Sequence, residues 1–161
     1  MGLREIRQQG DPVLNKECKP VKEMTDRLRD LIDDMFDTMY EGNGCGLAAP
    51  QVGILRQICV VDIGDENQYL FINPEIVEKE GEQTDNEGCL SVKGYYGQVT
   101  RAQHIKVKAL DIDMEPFEME ADDFLARAIQ HEVDHLHGHL YTELVEGDLY
   151  EVRDEDEEAE D

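Results

Sequence analysis

Gln130-His131-Glu132-Val133-Asp134-His135-Leu136 carries two histidines four residues apart, with a glutamate directly after the first. Residues four apart on a helix stand one above the other. His131 and His135 can therefore offer two imidazoles to one metal ion, with Glu132 about a quarter-turn round beside it. That is a metallohydrolase arrangement. It does not say which bond is cut, because two histidines make half of a tetrahedral site and the remaining protein ligand distinguishes one chemistry from another. The helix is predicted to start at Asp122 and Asp123, whose charge suits a helix N-terminus, and to stop at Gly138. Leu125, Ile129, Val133 and Leu136 anchor it, and Phe124, Ala128, His131 and His135 form the facing stripe. His137 and His139, either side of Gly138, read as exposed or satisfied histidines rather than ligands.

Three sources of a third ligand can be compared. A third histidine six residues after the second would fall on position 141, which is Tyr141. A downstream glutamate would come mostly from the acidic C-terminal stretch, where nothing holds it rigid. Cys89 sits in the short, glycine-flanked segment Asn86-Glu87-Gly88-Cys89-Leu90-Ser91 beside a strand signal. Two histidines and one cysteine leave the fourth position open, as a catalytic metal requires.

The bulk properties bound what surrounds the site. A chain of 161 residues with 40% hydrophobic content supports one core, so a single domain is expected. With 39 Asp+Glu against 15 Lys+Arg, the net charge of -24 disfavours nucleic acid or an anionic membrane as a direct partner. The N-terminus MGLREIRQQG has no signal-peptide core, which gives a cytoplasmic expectation. Four singly scattered cysteines are expected to be thiols, with Cys18 and Cys59 buried as small apolar residues.

Along the chain, Thr25 can cap an amphipathic helix whose apolar residues fall at Leu28, Leu31, Ile32, Met35, Phe36, Met39 and Tyr40 and which ends at Gly42-Asn43-Gly44. Residues 44–51 (GCGLAAPQ) suit either a tight turn or a loop whose backbone approaches a ligand closely. Ile58 to Ile63 reads as a buried strand. Tyr69 to Ile72 reads as a second, ended by Asn73-Pro74, with a short strand around Ile76-Val77. Glu78, Glu80 and Glu82 read as a solvated face, Gly94-Tyr95-Tyr96-Gly97 as a turn, and His104 to Leu110 as a half-buried strand with its hairpin partner at Phe117 and Met119. From Glu146 the chain turns strongly acidic. Residues 147–161 are expected to be a disordered tail following a domain of residues 1–146.

Three motifs, GCGLAAPQ at residues 44–51, EGCLS at 87–91 and QHEVDHL at 130–136, resemble in order and separation the signature motifs of bacterial peptide deformylase. The similarity extends over about residues 6–144. It implies an α+β fold, with a central metal-binding helix surrounded by antiparallel β-sheets and an N-terminal amphipathic helix. It also implies removal of the N-terminal formyl group from the formylmethionine of nascent polypeptides, with release of formate. The reaction would be metal-hydroxide attack with Glu132 as general acid/base.

On the same resemblance the metal ligands fall on Cys89, His131 and His135, and the oxyanion donors on the Gln51 side chain and the Leu90 amide. Gly46 lines the site, and Glu87 and Arg101 brace the cysteine loop. Gly44, Cys45, Gly88, Phe124, Arg127 and Ala128 are assigned to substrate binding, the last three by their place on the metal-facing side of the helix. The implied cofactor is one divalent ion, natively Fe2+, with Zn2+, Ni2+ or Co2+ able to take its place. The implied partners are formyl-Met peptides on chains leaving the ribosome, met by a monomer that binds neither nucleic acid nor membrane. Lys93 stands where many relatives carry proline, and the acidic tail replaces the basic helix of some relatives. An ordinary zinc endopeptidase and a non-catalytic peptide-binding module are the competing classes. The first rests on the helix motif alone, and the second has no support from a chain that retains Glu132 and Gln51.

Overall fold

The computed structural model describes residues 2–152. Thr25 caps the first helix, its side chain accepting a hydrogen bond from the Leu28 amide at 3.2 Å, and α1 runs Asp26–Glu41 as the periodicity predicts. It buries Leu31, Ile32, Met35 and Met39, and stops at Gly42 with Asn43 in the left-handed region. There follow β1 (Gly46–Ala48), a 3-10 turn (Ala49–Val52), β2 (Ile58–Val61), β3 (Tyr69–Glu80), β4 (Gln83–Cys89) and β5 (Val92–Arg101). After these come β6 (His104–Leu110), β7 (Pro116–Asp122), α2 (Asp123–Leu136) and β8 (Glu146–Glu151).

All strand pairings between these elements are antiparallel, in a five-stranded sheet of order β1-β2-β3-β6-β7 and a three-stranded sheet of order β4-β5-β8. The expected α+β architecture is the observed one.

The unbroken apolar run of β2 has a structural cause. Cys59 and Val61 join Phe71, Ile105 and Val107 in the cluster that holds Ala126, Ile129, Val133 and Leu136 of α2. Ile58 and Val60 join Leu47 and Ile72 in the cluster that holds Leu31, Ile32, Met35 and Met39 of α1. The sheet is thus covered on both faces, and α2 is seated by its apolar stripe. Fully burying one such side chain as Ile129 contributes about 1.5–3 kcal/mol. A third cluster, Leu14, Val92, Val99, Leu140 and Tyr141, packs beneath the small sheet.

Three expectations are corrected. β3 does not end at Asn73-Pro74: the register shifts between Ile72 and Glu75, and Asn73 at φ 51° takes up the irregularity. Its side chain is then held by the Val21 backbone, with both bonds at 2.8 Å. Gly94 to Gly97 is not a turn but the body of β5. The hairpin reverses earlier, at Leu90-Ser91, between the paired residues Cys89 and Val92. The acidic stretch is not tail from its start, because Glu146–Glu151 forms β8 on β5, where Tyr150 lies against Tyr96 with ring centroids 5.6 Å apart. The density of carboxylates hides that strand in the sequence. The remainder of the expected tail, residues 153–161, lies outside the described residues. Among the described residues no helix is long and apolar enough to cross a membrane.

Candidate metal centre

The seating of α2 on the large sheet turns His131 and His135 toward the end of β4, where a register shift between Gly88 and Cys89 places the Cys89 thiol opposite them. One ligand atom from each of the three lies within 4.8 Å of the others, and the Cys89 Sγ to His135 Nε2 separation is 3.4 Å. A tetrahedral ion with bonds of about 2.3 Å to sulfur and 2.0–2.1 Å to nitrogen has a sulfur–nitrogen edge of roughly 3.5 Å, so the donor set fits such an ion. The histidines are buried, at 8% and 1% exposure.

His131 Nδ1 meets Glu87 Oε1 at 2.8 Å. An ionised carboxylate can only accept, so the imidazole proton sits on Nδ1 and the Nε2 lone pair is free for an ion. Burial tends to raise the Glu87 pKa, but the hydrogen bonds and charges of His131 and Arg101 outweigh it and hold the carboxyl at about 2. Arg101 grips both Glu87 oxygens, at 2.5 and 3.0 Å, and also reaches Asp134 at 2.9 Å. Arg101 thus joins Glu87 of β4 to Asp134 of α2.

Glu132 is 4% exposed and its Oε1 has no hydrogen-bond partner among the described residues, a costly state for a buried carboxyl. Burial, only partly offset by His131, pushes its pKa up to about 7. A carboxyl in that range can both take and give a proton near neutrality. Gly46 of β1 lies against it so closely that a Cβ there would collide with Glu132 Oε2.

Gln51 belongs to the 3-10 turn and is 1% exposed. Its Oε1 accepts from the Ala48 amide at 2.9 Å, and its Nε2 donates to Ser91 Oγ at 3.0 Å and toward Cys89 Sγ at 3.5 Å. The GCGLAAPQ stretch is therefore a strand and a turn that aim one amide at the cysteine. Leu90 forms the hairpin turn directly after Cys89, its carbonyl held by Gln8 Nε2 at 2.9 Å.

These residues open onto a cleft of about 1050 Å³ lined by Gly44, Cys45, Gly46, Gly88, Leu90, Phe124 and Ala128 among others. Arg127 lines it too, but its guanidinium is turned inward to Glu87 at 2.6 Å and to the carbonyls of Val99 and Gln83 at 3.0 and 3.2 Å. His137 and His139 pair instead with Glu17 and Glu143.

Sequence reasoning missed Ser91, Asp134 and Tyr141 as parts of the site. The Tyr141 ring stacks on His131 at 5.9 Å, and its hydroxyl donates to the Tyr95 carbonyl at 3.2 Å. Its one signal was position: it stands where a third histidine would come in another class of zinc site.

A family model described as Polypeptide deformylase matches residues 3–148. A relative from Agathobacter rectalis named peptide deformylase is 57% identical over 156 residues, spanning 97% of this chain and 98% of its own. The crystal structure of peptide deformylase from Thermotoga maritima superposes with a TM-score of 0.88 at 40% identity, over 91% of this chain and all of that one (100%). The peptide deformylase of Synechococcus elongatus, in complex with actinonin, gives 0.86 at 41% identity, over 89% of this chain and 79% of that one. The matched family model, the identity to the Agathobacter rectalis relative and the shared fold place the chain in the polypeptide deformylase family of hydrolases.

Proposed function

We propose that Cys89, His131 and His135 hold one divalent metal ion, and that the site around it removes the formyl group from the formylmethionine of nascent polypeptides and releases formate. The observation that carries this reading is the Cys-His-His donor set beside a buried carboxylate, Glu132, whose Oε1 has no partner. A divalent ion bound there supplies Lewis acidity, polarising a carbonyl and easing the deprotonation of water. Glu132 Oε1 takes the proton from the attacking water and then delivers it to the leaving amine. The Gln51 Nε2 amide, already aimed at the Cys89 thiol, and the Leu90 amide beside it donate to the formyl oxygen as negative charge develops on it. Gly46 leaves the room that the Glu132 carboxyl occupies. The methionine side chain lies in the cleft against Phe124 and Ala128, with Gly44, Cys45 and Gly88 along its walls.

One soft sulfur and two imidazole nitrogens suit Fe2+, Zn2+, Ni2+ and Co2+ alike, and Fe2+ is taken as the native ion on the family resemblance, not on the donor set. The protein acts in the cytoplasm as a monomer, on chains leaving the ribosome. The carboxylates of Glu146, Asp148 and Glu151 on the outer strand β8 oppose pairing with a second copy, and the charge of -24 opposes direct contact with nucleic acid. Glu132→Gln tests the assignment. Formate release from a formyl-Met tripeptide is expected to fall about 10²–10⁴-fold while the metal content stays at one ion per chain. Activity within threefold of the parent would remove Glu132 from the reaction.

A further inference from the structure

Arg127 stands one helical turn before His131 on the same face of α2, and by position alone it reads as part of the substrate pocket. Its side chain does something else. The residue is 2% exposed, and its guanidinium spans three partners: Glu87 Oε2, the Val99 carbonyl of β5 and the Gln83 carbonyl of β4. Two of the three are backbone atoms on the two strands of the hairpin that carries Cys89.

The bonding of Glu87 gives that tie its meaning. Oε1 accepts from His131 Nδ1 at 2.8 Å and Arg101 Nη2 at 3.0 Å; Oε2 accepts from Arg101 Nε at 2.5 Å and Arg127 Nη1 at 2.6 Å. A carboxylate has about four acceptor sites, and all are used. Charge balances in the same way. Arg101 is shared between Glu87 and Asp134, so Arg127 is the second cation that matches two carboxylates with two guanidiniums. α2 is seated on the large sheet, whereas Cys89 belongs to the small one. The placement of the cysteine relative to the two histidines therefore depends on cross-ties such as this one.

We infer that Arg127 is a positioning residue for the metal centre: it locks Glu87 in the orientation that holds the proton on His131 Nδ1, and it fixes the Cys89 hairpin to the helix that carries His131 and His135. This inference rests on the proposed ligand set. It makes Arg127 a determinant of how the ion is held, not of which side chain the cleft accepts. Lysine has one nitrogen in place of the fork and cannot reach Glu87 and both strand carbonyls together, so it restores the charge without the cross-tie.

The test uses the full chain and the variants R127M and R127K, stripped of metal and titrated with Zn2+ against a competing chelator. A parallel Co2+-loaded sample reports the thiolate-to-cobalt absorption band, and the ratio of kcat/KM for formyl-Met over formyl-Phe tripeptides reports the pocket. Removal of a residue that orients a ligand typically weakens metal binding about 10–100-fold. R127M is expected in that range, with R127K between it and the parent, a shifted or weakened cobalt band and a substrate ratio within twofold of the parent. If R127M does not fold, R127K alone decides by the same readouts. An unchanged Zn2+ dissociation constant overturns the inference, whether accompanied by a lower Tm, as for a merely structural arginine, or by an altered substrate ratio, as for a pocket residue. Failure of the parent protein to bind Zn2+ would instead refute the ligand set on which the inference rests.

Discussion

Gly46→Ala isolates the placement of the proton-transfer group, because it adds one carbon next to Glu132 and nothing else. A Cβ built on Gly46 has its three nearest atoms in the Glu132 side chain, with Cδ at 2.9 Å and Cγ at 3.0 Å and the Oε2 oxygen closer still. Ordinary contacts of this kind lie at 3.4–4 Å, so the carboxyl or the strand must yield by roughly 0.5–1 Å. Both are packed: Glu132 is 4% exposed, and the neighbouring Leu47 and Ala48 are fully buried. Displacing a reacting group by about 1 Å costs on the order of 10²-fold in rate, which corresponds to about 2.7 kcal/mol in the barrier. The assay is steady-state formate release from a formyl-Met tripeptide, with metal content and Tm measured on the same preparation. The expected result is a kcat lower by about 10²-fold with one metal ion still bound per chain. A kcat within threefold of the parent at equal metal content would refute the placement of Glu132 as the group that moves the proton.

Gln51→Ala removes an oxyanion donor and is expected to lower kcat about 10²–10³-fold with a small change in KM, measured by the same assay; a loss below threefold would remove Gln51 from that role. His104, at the start of β6 in the large sheet, is an independent electrostatic check. The hydrogen bonds to Asp122 and Glu120, at 2.7 and 3.0 Å, raise its pKa above the ordinary imidazole value despite a small opposing effect of burial. A raised folded-state pKa means that the stabilisation is fully present below the unfolded value near 6.5 and is lost as pH rises through the folded value. Thermal unfolding across that range should therefore show a decline in Tm for the parent that is absent in His104→Gln. An imidazole NMR titration midpoint at or below 6.5 would contradict the pairing.

The parts of this molecule legible in its sequence are those in which a residue's spacing determines its partner. His131 and His135 share a face because they are four apart, Thr25 caps because a helical stripe follows it, and the alternation of Ile105, Val107 and Ala109 shows one buried face of β6. What escaped depends on partners distant in the chain. Arg127 lies on the metal-facing stripe, but only the fold shows that Glu87, forty residues earlier, captures its guanidinium. Tyr141 reads as a failed ligand position until its ring is seen stacked on His131. β8 was hidden because Glu146, Asp148 and Glu151 look like a solvated run, while the strand-forming information lies in Leu149 and Tyr150 and in the free edge that β5 offers. Asn73-Pro74 reads as a strand end, yet the Val21 backbone supplies the bonds that let β3 continue through it.

The central claim is that one ion held by Cys89, His131 and His135 is needed for deformylation. Its most direct test is formate release from a formyl-Met tripeptide by the full chain, purified without oxygen, stripped by a chelator and titrated with Fe2+ or Ni2+. Turnover is predicted to be absent in the stripped protein and to rise linearly to a plateau at one ion per chain, with Cys89→Ala failing to recover at the same stoichiometry. Turnover that survives metal removal, or that recovers in Cys89→Ala at one ion per chain, would contradict it.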